Sequence, residues 1–294
     1  MLQIKPTSRH SGFITMAKTL VLFFVLFLAA CSQQEDTPPL VPETAAKTAE
    51  PALPVPATQA RQSVVIAADP WCPHNCEAGS DHEGYMIDIA REAFGLAGID
   101  VEYVNMSWAR ALQQARDGYV DAVVGALPGD APDFVFPEAA IGYSKIALYT
   151  HPDNNWQYSG TDSLSQFTLL AINGYAYSPE LDSYIARNQD NPERIWVLSG
   201  PAPLSRAIEL LHQRRSDVFP EDRYVMQWQL EKDGSAESLR MAKVIHESPL
   251  YVAFSPVGTD SLELAALLSE GAKTLQSTGR VAEILARYGL SWSD

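Results

Sequence analysis

The sequence predicts an α/β protein of two lobes built on one plan, each lobe an open, mostly parallel sheet flanked by helices. Three observations carry this. Residues 63–127 alternate strand and helix signals in the order β-α-β-α-β. A helix, turn, Asp and strand in the same register return around residues 204–217. The composition, 46% hydrophobic and 19% charged over 294 residues, suffices for one large or two moderate cores.

The chain opens with a segment of a different kind. Leu20 to Ala30 is an apolar run too short to cross a bilayer comfortably; Lys18 precedes it and Leu28-Ala29-Ala30-Cys31 ends it. This ending resembles the lipobox of bacterial lipoproteins. The resemblance implies that residues 1–31 are a signal peptide cut before Cys31, which then carries lipid and anchors the chain to a membrane. Starting at Met16 would leave a compact signal with one lysine ahead of the apolar run. Residues 32–61 are rich in Pro, Ala, Thr and Glu and poor in large apolar side chains, so they read as a disordered tether.

The first folded unit begins with Val64, Val65 and Ile66, a β-branched run ended by Asp69 and Pro70. Ile87, Ala90, Phe94 and Ala97 recur at helical spacing up to Gly98, and Val101 to Met106 alternates as a second strand. Ser107 caps a helix whose Trp108, Ala111, Leu112 and Ala115 form one stripe; Gly118 breaks it, and Asp121 opens a third strand. Sheets of this kind bind ligands beyond the carboxyl ends of their strands, which directs attention to the loops at 69–74, 105–108 and 126–133. A surface loop follows at 133–143, then strands at Ile146 to Thr150 and Thr168 to Ile172, a loop at 173–177 and a helix with Pro179 in its first turn. Leu204, Ala207, Ile208 and Leu211 then repeat the spacing of Trp108, Ala111, Leu112 and Ala115. Asp217 lies 13 residues after Leu204, as Asp121 lies 13 after Trp108. Val244 to Phe254 reads as a returning strand, and two helices, Leu262 to Leu275 and Val281 to Tyr288, finish the chain around Gly279.

Charge excludes one class of function. Acidic residues outnumber basic ones 36 to 21, a net charge of -15, and such a surface repels nucleic acid. With Cys31 lipidated, Cys72 and Cys76 remain as an even pair in an oxidising compartment, and a disulfide is the first reading. The alternative is a metal site of Cys72, His74 and Cys76, three ligands within five residues and no distant fourth. No nucleophile elbow, phosphate loop or HExxH helix is present in the sequence.

Five segments in order resemble the family 3 extracellular solute-binding proteins, the periplasmic binding proteins known best for polar amino acids. They are Gly84-Tyr85-Met86-Ile87-Asp88-Ile89-Ala90, Trp108 with its helix, Asp121-Ala122-Val123-Val124, Asp217 with Asp222, and Gly279-Arg280-Val281-Ala282-Glu283-Ile284-Leu285. The resemblance covers about residues 62–290. It implies a two-lobed periplasmic binding fold with the ligand cleft between lobes. Residues 62–149 and 251–294 would form one lobe, and residues 150–250, with the hinge strands, the other. It also implies a monomer without cofactor that passes a small-molecule solute to an ABC permease or a membrane sensor. Carried over by position, Trp71 and Trp108 are the aromatics that pack on the ligand, and Asp222 is the acid that receives its ammonium. The carboxylate-gripping Arg of amino-acid binders is replaced by Asp133, Pro128 removes a hydroxyl and a backbone donor, and Tyr175 and Tyr177 stand where small hydroxyl residues are common. Together these substitutions lead us to expect an amine-bearing or cationic solute held by Trp71, Trp108, Tyr175 and Tyr177 with Asp133 and Asp222. The alternative is a periplasmic enzyme on the same scaffold, like the cyclohexadienyl dehydratases, with His74 or Glu221 as general acid. A weaker third reading is an envelope scaffold with a vestigial cleft. Ser32 after the lipid-bearing cysteine resembles the outer-membrane sorting pattern of Gram-negative lipoproteins.

Overall fold

The computed structural model describes residues 63–291 except 201, 236 and 237. The segments expected to be a signal peptide and a tether, with Cys31 between them, lie outside the described residues.

Strand β1 (Ser63–Ala68), helix α1 (Tyr85–Leu96), β2 (Asp100–Asn105), α2 (Trp108–Arg116) and β3 (Ala122–Ala126) follow in the order the periodicity predicts. Strand β1 pairs in parallel with β2 and β3. One face of α1 carries the fully buried Met86, Ile87, Ala90 and Phe94, each large apolar side chain contributing about 1.5–3 kcal/mol by leaving water. Across the chain, α6 (Ser261–Ser277) and α7 (Arg280–Arg287) complete the same core with Leu268, Leu275 and Ile284.

Two long strands link this core to a second one. Strand β4 (Gly142–Thr150) pairs antiparallel with β8 (Arg240–Phe254), which also pairs antiparallel with β3 at its far end. Both strands extend beyond their apolar runs, because the ladder between them continues through residues such as the exposed Lys243 and the half-buried His246. Strand β7 (Phe219–Asp222) flanks β4, giving the order β2-β1-β3-β8-β4-β7. Strands β5 (Leu169–Ile172) and β6 (Ile195–Leu198) form a parallel pair beside it, joined to β7 by a bridge from Leu169 to Val218. The pairs β1–β2, β1–β3 and β5–β6 are thus parallel, whereas β4 and β8 pair antiparallel with each other, β8 also with β3 and β4 also with β7. Helices α3 (Pro179–Asn188), α4 (Pro203–His212) and α5 (Arg223–Lys232) cover this second half, with Leu170, Ile208, Leu211 and Met226 in its core. Strand β6 and helix α5 have no counterpart in the sequence reading. The strand is four residues long, and the apolar residues of the helix do not gather on one stripe.

The echo between the two halves has a physical basis. Asp121 accepts the Val65 amide at 2.7 Å and returns its own amide to the Val65 carbonyl. Asp217 does the same with Thr168, accepting its amide at 2.8 Å. Each Asp therefore ties the strand it opens to the neighbouring first strand, which explains why the residue recurs at one spacing.

Candidate functional site

The loop after β1 doubles back on itself. Trp71 and Asn75 exchange backbone hydrogen bonds, Cys72 and Cys76 are joined as a disulfide, and the amides of Tyr85 and Met86 donate to the carbonyls of Pro73 and His74. Gly84 makes this possible. It has φ of 107°, and a Cβ there would stand 2.4 Å from Asn75 Cα, so α1 can approach the loop only at a glycine. Gly125 plays the same part from β3. Its φ is 82° at a shift in the β3–β8 register, and a Cβ would lie 2.8 Å from Asn75 Oδ1.

Side chains from both halves meet over this loop. The Trp71 indole donates to Glu221 Oε1 at 2.8 Å, the Tyr175 hydroxyl to Asp69 Oδ2 at 2.7 Å, and the Ala176 amide to Asp130 Oδ1 at 2.7 Å. His74 Nε2 lies 3.0 Å from Asp222 Oδ1, both side chains fully buried. These contacts leave a cavity of about 20 Å³, room for one water-sized group. Asp69, Asn75, Asp130 and Glu221 provide its polar wall, and Trp71, Trp108, Tyr175 and Tyr177 its aromatic one. A larger chamber of about 610 Å³ adjoins it, sharing Asp69, Trp108 and Tyr175 and extending to Asn105, Asn173 and the turn before α4. Among the described residues, no Arg, Lys or His lines either space.

Burial sets the charge states. It pushes the carboxyls of Asp69, Asp130 and Glu221 up to about 6, 7 and 8, against the hydrogen bonds from Tyr175, Leu127 and Trp71 that pull them down. Asp222 behaves in the opposite way. Burial alone would raise it, but His74, the Ser144 hydroxyl and the Lys145 amide hold it below the usual carboxylate range.

The four aromatic candidates therefore stand together at the cavity, while the two acids do not. Asp133 is an exposed residue held by a bidentate pair with Arg116 at 2.9 and 3.0 Å, and it lines neither space. The carboxylate that turns inward from the same loop is Asp130, fixed by the amides of Leu127 and Ala176. Asp222 is buried, but five donors occupy its oxygens: His74, Ser144 Oγ and the amides of Lys145, Tyr224 and Val225. It has no acceptor left for a ligand ammonium, and its neighbour Glu221 faces the cavity instead. Asp69 was legible only as a turn residue, and Asn75 lay just beyond the loop that the sequence singled out. The disulfide takes up both thiols that the metal alternative needed, and among the described residues no cluster of three metal-ligating side chains exists.

A cleft between two α/β lobes, roofed by side chains of both, defines the bilobal class of binding protein. Bacterial extracellular solute-binding proteins, family 3, match residues 64–291, and the chain belongs to this family. No curated protein matches it by sequence. Among solved structures it is similar to the arginine-, lysine-, histidine-binding protein ArtJ from the thermophilic bacterium Geobacillus stearothermophilus. That match has TM-score 0.64 and 16% identity, covering 77% of this chain and 95% of that one. The P235GK mutant of ArgBP from T. maritima matches with TM-score 0.63 and 13% identity over 78% and 95%. A histidine kinase sensor domain similar to periplasmic binding proteins matches with TM-score 0.60 and 18% identity over 78% and 96%. At these identities the similarity establishes the fold.

Proposed function

We propose that this chain is a lipid-anchored binding protein whose two lobes, 62–149 with 251–294 and 150–250, hold a small amine-bearing or cationic solute. The observation that carries the reading is the make-up of the cleft. Asp69, Asp130 and Glu221 face it together with four aromatic rings, and no cationic side chain lines it among the described residues. A cation on an aromatic face gains roughly 2 kcal/mol when desolvated, whereas an anion would meet like charge in a poorly screened space. The ligand-pairing role expected of Asp133 and Asp222 passes to Asp69, Asp130 and Glu221. Isothermal titration with paired ligands that differ only in an amine or a carboxylate tests this. Tighter binding of the anionic member would end the reading.

The solute then passes to an ABC-type permease or to a membrane sensor; the likeness to a sensor domain supports keeping the second route. Lipid on Cys31 would hold the protein at the membrane, with Ser32 favouring the outer one. Changing Cys31 to Ser should leave an unprocessed precursor that incorporates no fatty acid, and unchanged acylation would remove the anchor. The dehydratase-like alternative draws on Glu221, a carboxyl held near 8 beside the cavity, as the acid. It requires turnover of a cyclohexadienyl acid, which product analysis detects.

A further inference from the structure

Two buried oxygens at the small cavity have no hydrogen-bond partner, Asn75 Oδ1 and Glu221 Oε2. Both side chains line the cavity, and each residue is 1% exposed. Their remaining polar atoms are already committed. The Asn75 amide nitrogen donates to the Asp69 carbonyl at 2.7 Å, and Glu221 Oε1 accepts from the Trp71 indole and the Asp222 amide, both at 2.8 Å. The fold has thus fixed the orientation of both groups and left one oxygen of each unpaired, an acceptor on Asn75 and, once its proton has gone, on Glu221. Two donors of the wall are already spent, the Tyr175 hydroxyl on Asp69 and the Trp71 indole on Glu221 Oε1. What suits such a space is a water-sized group rich in donors and carrying positive charge, which describes an ammonium.

The adjoining chamber restricts what is attached to that ammonium. Its walls include Pro70, Met106, Trp108, Ile172, Leu198 and Leu204, and Asp69 is its one charged side chain among the described residues. A carboxylate there would find no Arg, Lys or His, and a second ammonium would find no carboxylate beyond the one at the neck. We infer that the solute is a primary amine with an uncharged, largely apolar body, its head between Asn75 and Glu221 and its body against Trp108 and Tyr175. This rests on the cationic reading of the cleft and narrows it to monoamines, setting aside α-amino acids and diamines. Because burial holds Glu221 protonated up to about pH 8, an arriving ammonium displaces that proton: the carboxylic acid becomes a carboxylate paired with the ammonium, and one proton leaves to solvent.

The test is isothermal titration of the full exported chain at pH 7 with 2-phenylethylamine, phenylalanine and 1,5-diaminopentane, each in two buffers of different ionisation enthalpy. Phenylethylamine should bind at least tenfold more tightly than the other two and release close to one proton. Glu221→Gln, with its fold checked by circular dichroism, should weaken phenylethylamine at least tenfold and abolish the release. Asn75→Ala offers a second variant, which removes the unpaired acceptor together with the donor to the Asp69 carbonyl and should also weaken the amine. Equal binding of diamine and monoamine, or no proton release by the wild-type chain, overturns the inference while the cationic reading stands. Tighter binding of phenylalanine than of phenylethylamine likewise overturns the inference, and no binding of either amine overturns both.

Discussion

Glu221 illustrates how one residue can link ligand, pH and stability. Its carboxyl is about 8 in the folded chain against an ordinary value of 4.5, so between these pH values the folded state holds a proton that the unfolded state has lost. Stability contributed through this group therefore falls as pH rises from about 4.5 to about 8. Asp69 and Asp130, at about 6 and 7, act in the same direction over the lower part of that range. Asp222, held low, opposes them only in acid, where its contribution is lost as pH falls through the carboxylate range. The ligand-free protein should accordingly lose stability toward pH 8, and Glu221→Gln should flatten the slope between pH 6 and 8. Urea titrations of both proteins at pH 5, 6, 7 and 8 give the comparison; parallel slopes would show that Glu221 titrates normally.

At the scale of elements, Asp222 connects more than any other side chain near the cleft. Through Oδ1 it caps α5 by accepting the amides of Tyr224 and Val225 and reaches His74 in the loop after β1; through Oδ2 it grips Ser144 and Lys145 on β4. His74 in turn lies 2.7 Å from the Tyr85 hydroxyl at the start of α1. Removing the charge leaves His74 buried against a poorer partner and weakens a helix cap. Asp222→Asn should thus cost about 1–3 kcal/mol of stability, the usual penalty when buried donors lose their acceptor. Preference between amine and carboxylate ligands should stay unchanged in a variant that still folds. Thermal melts and competition binding separate the two effects, and a large change in ligand preference with a normal melt would return Asp222 to the binding surface.

On the scale of the whole molecule, direct hydrogen bonds join the two halves at the cavity, Trp71 to Glu221, Tyr175 to Asp69 and Ala176 to Asp130, with His74 to Asp222 behind them. With net contributions of about 0.5–1.5 kcal/mol each, and more for those to charged groups, their sum is comparable to the energy that biases a domain hinge. We expect small-angle scattering to give the ligand-free chain a compact interlobe arrangement that a bound amine changes little, and Trp71→Phe, which removes the indole donor, to shift it toward a larger radius. A marked contraction of the wild-type chain on ligand addition would contradict this.

Local pattern determined much of this protein. Helical and strand periods around residues 63–127, the repeated Asp at 121 and 217, and the pair Cys72–Cys76 were readable because each depends on neighbours within a few residues or on a spacing that recurs. The aromatic walls Trp71, Trp108, Tyr175 and Tyr177 were also legible, since loops at strand ends can hardly avoid the cleft in this topology. Which carboxylates face that cleft was decided only by tertiary structure. Asp130 and Asp133 lie three residues apart on one loop, and Glu221 and Asp222 are adjacent, so no sequence period separates the inward from the outward member. The choice came from partners far along the chain. Arg116 draws Asp133 to the surface, while His74, 148 residues from Asp222, draws that acid away and leaves Glu221 to Trp71.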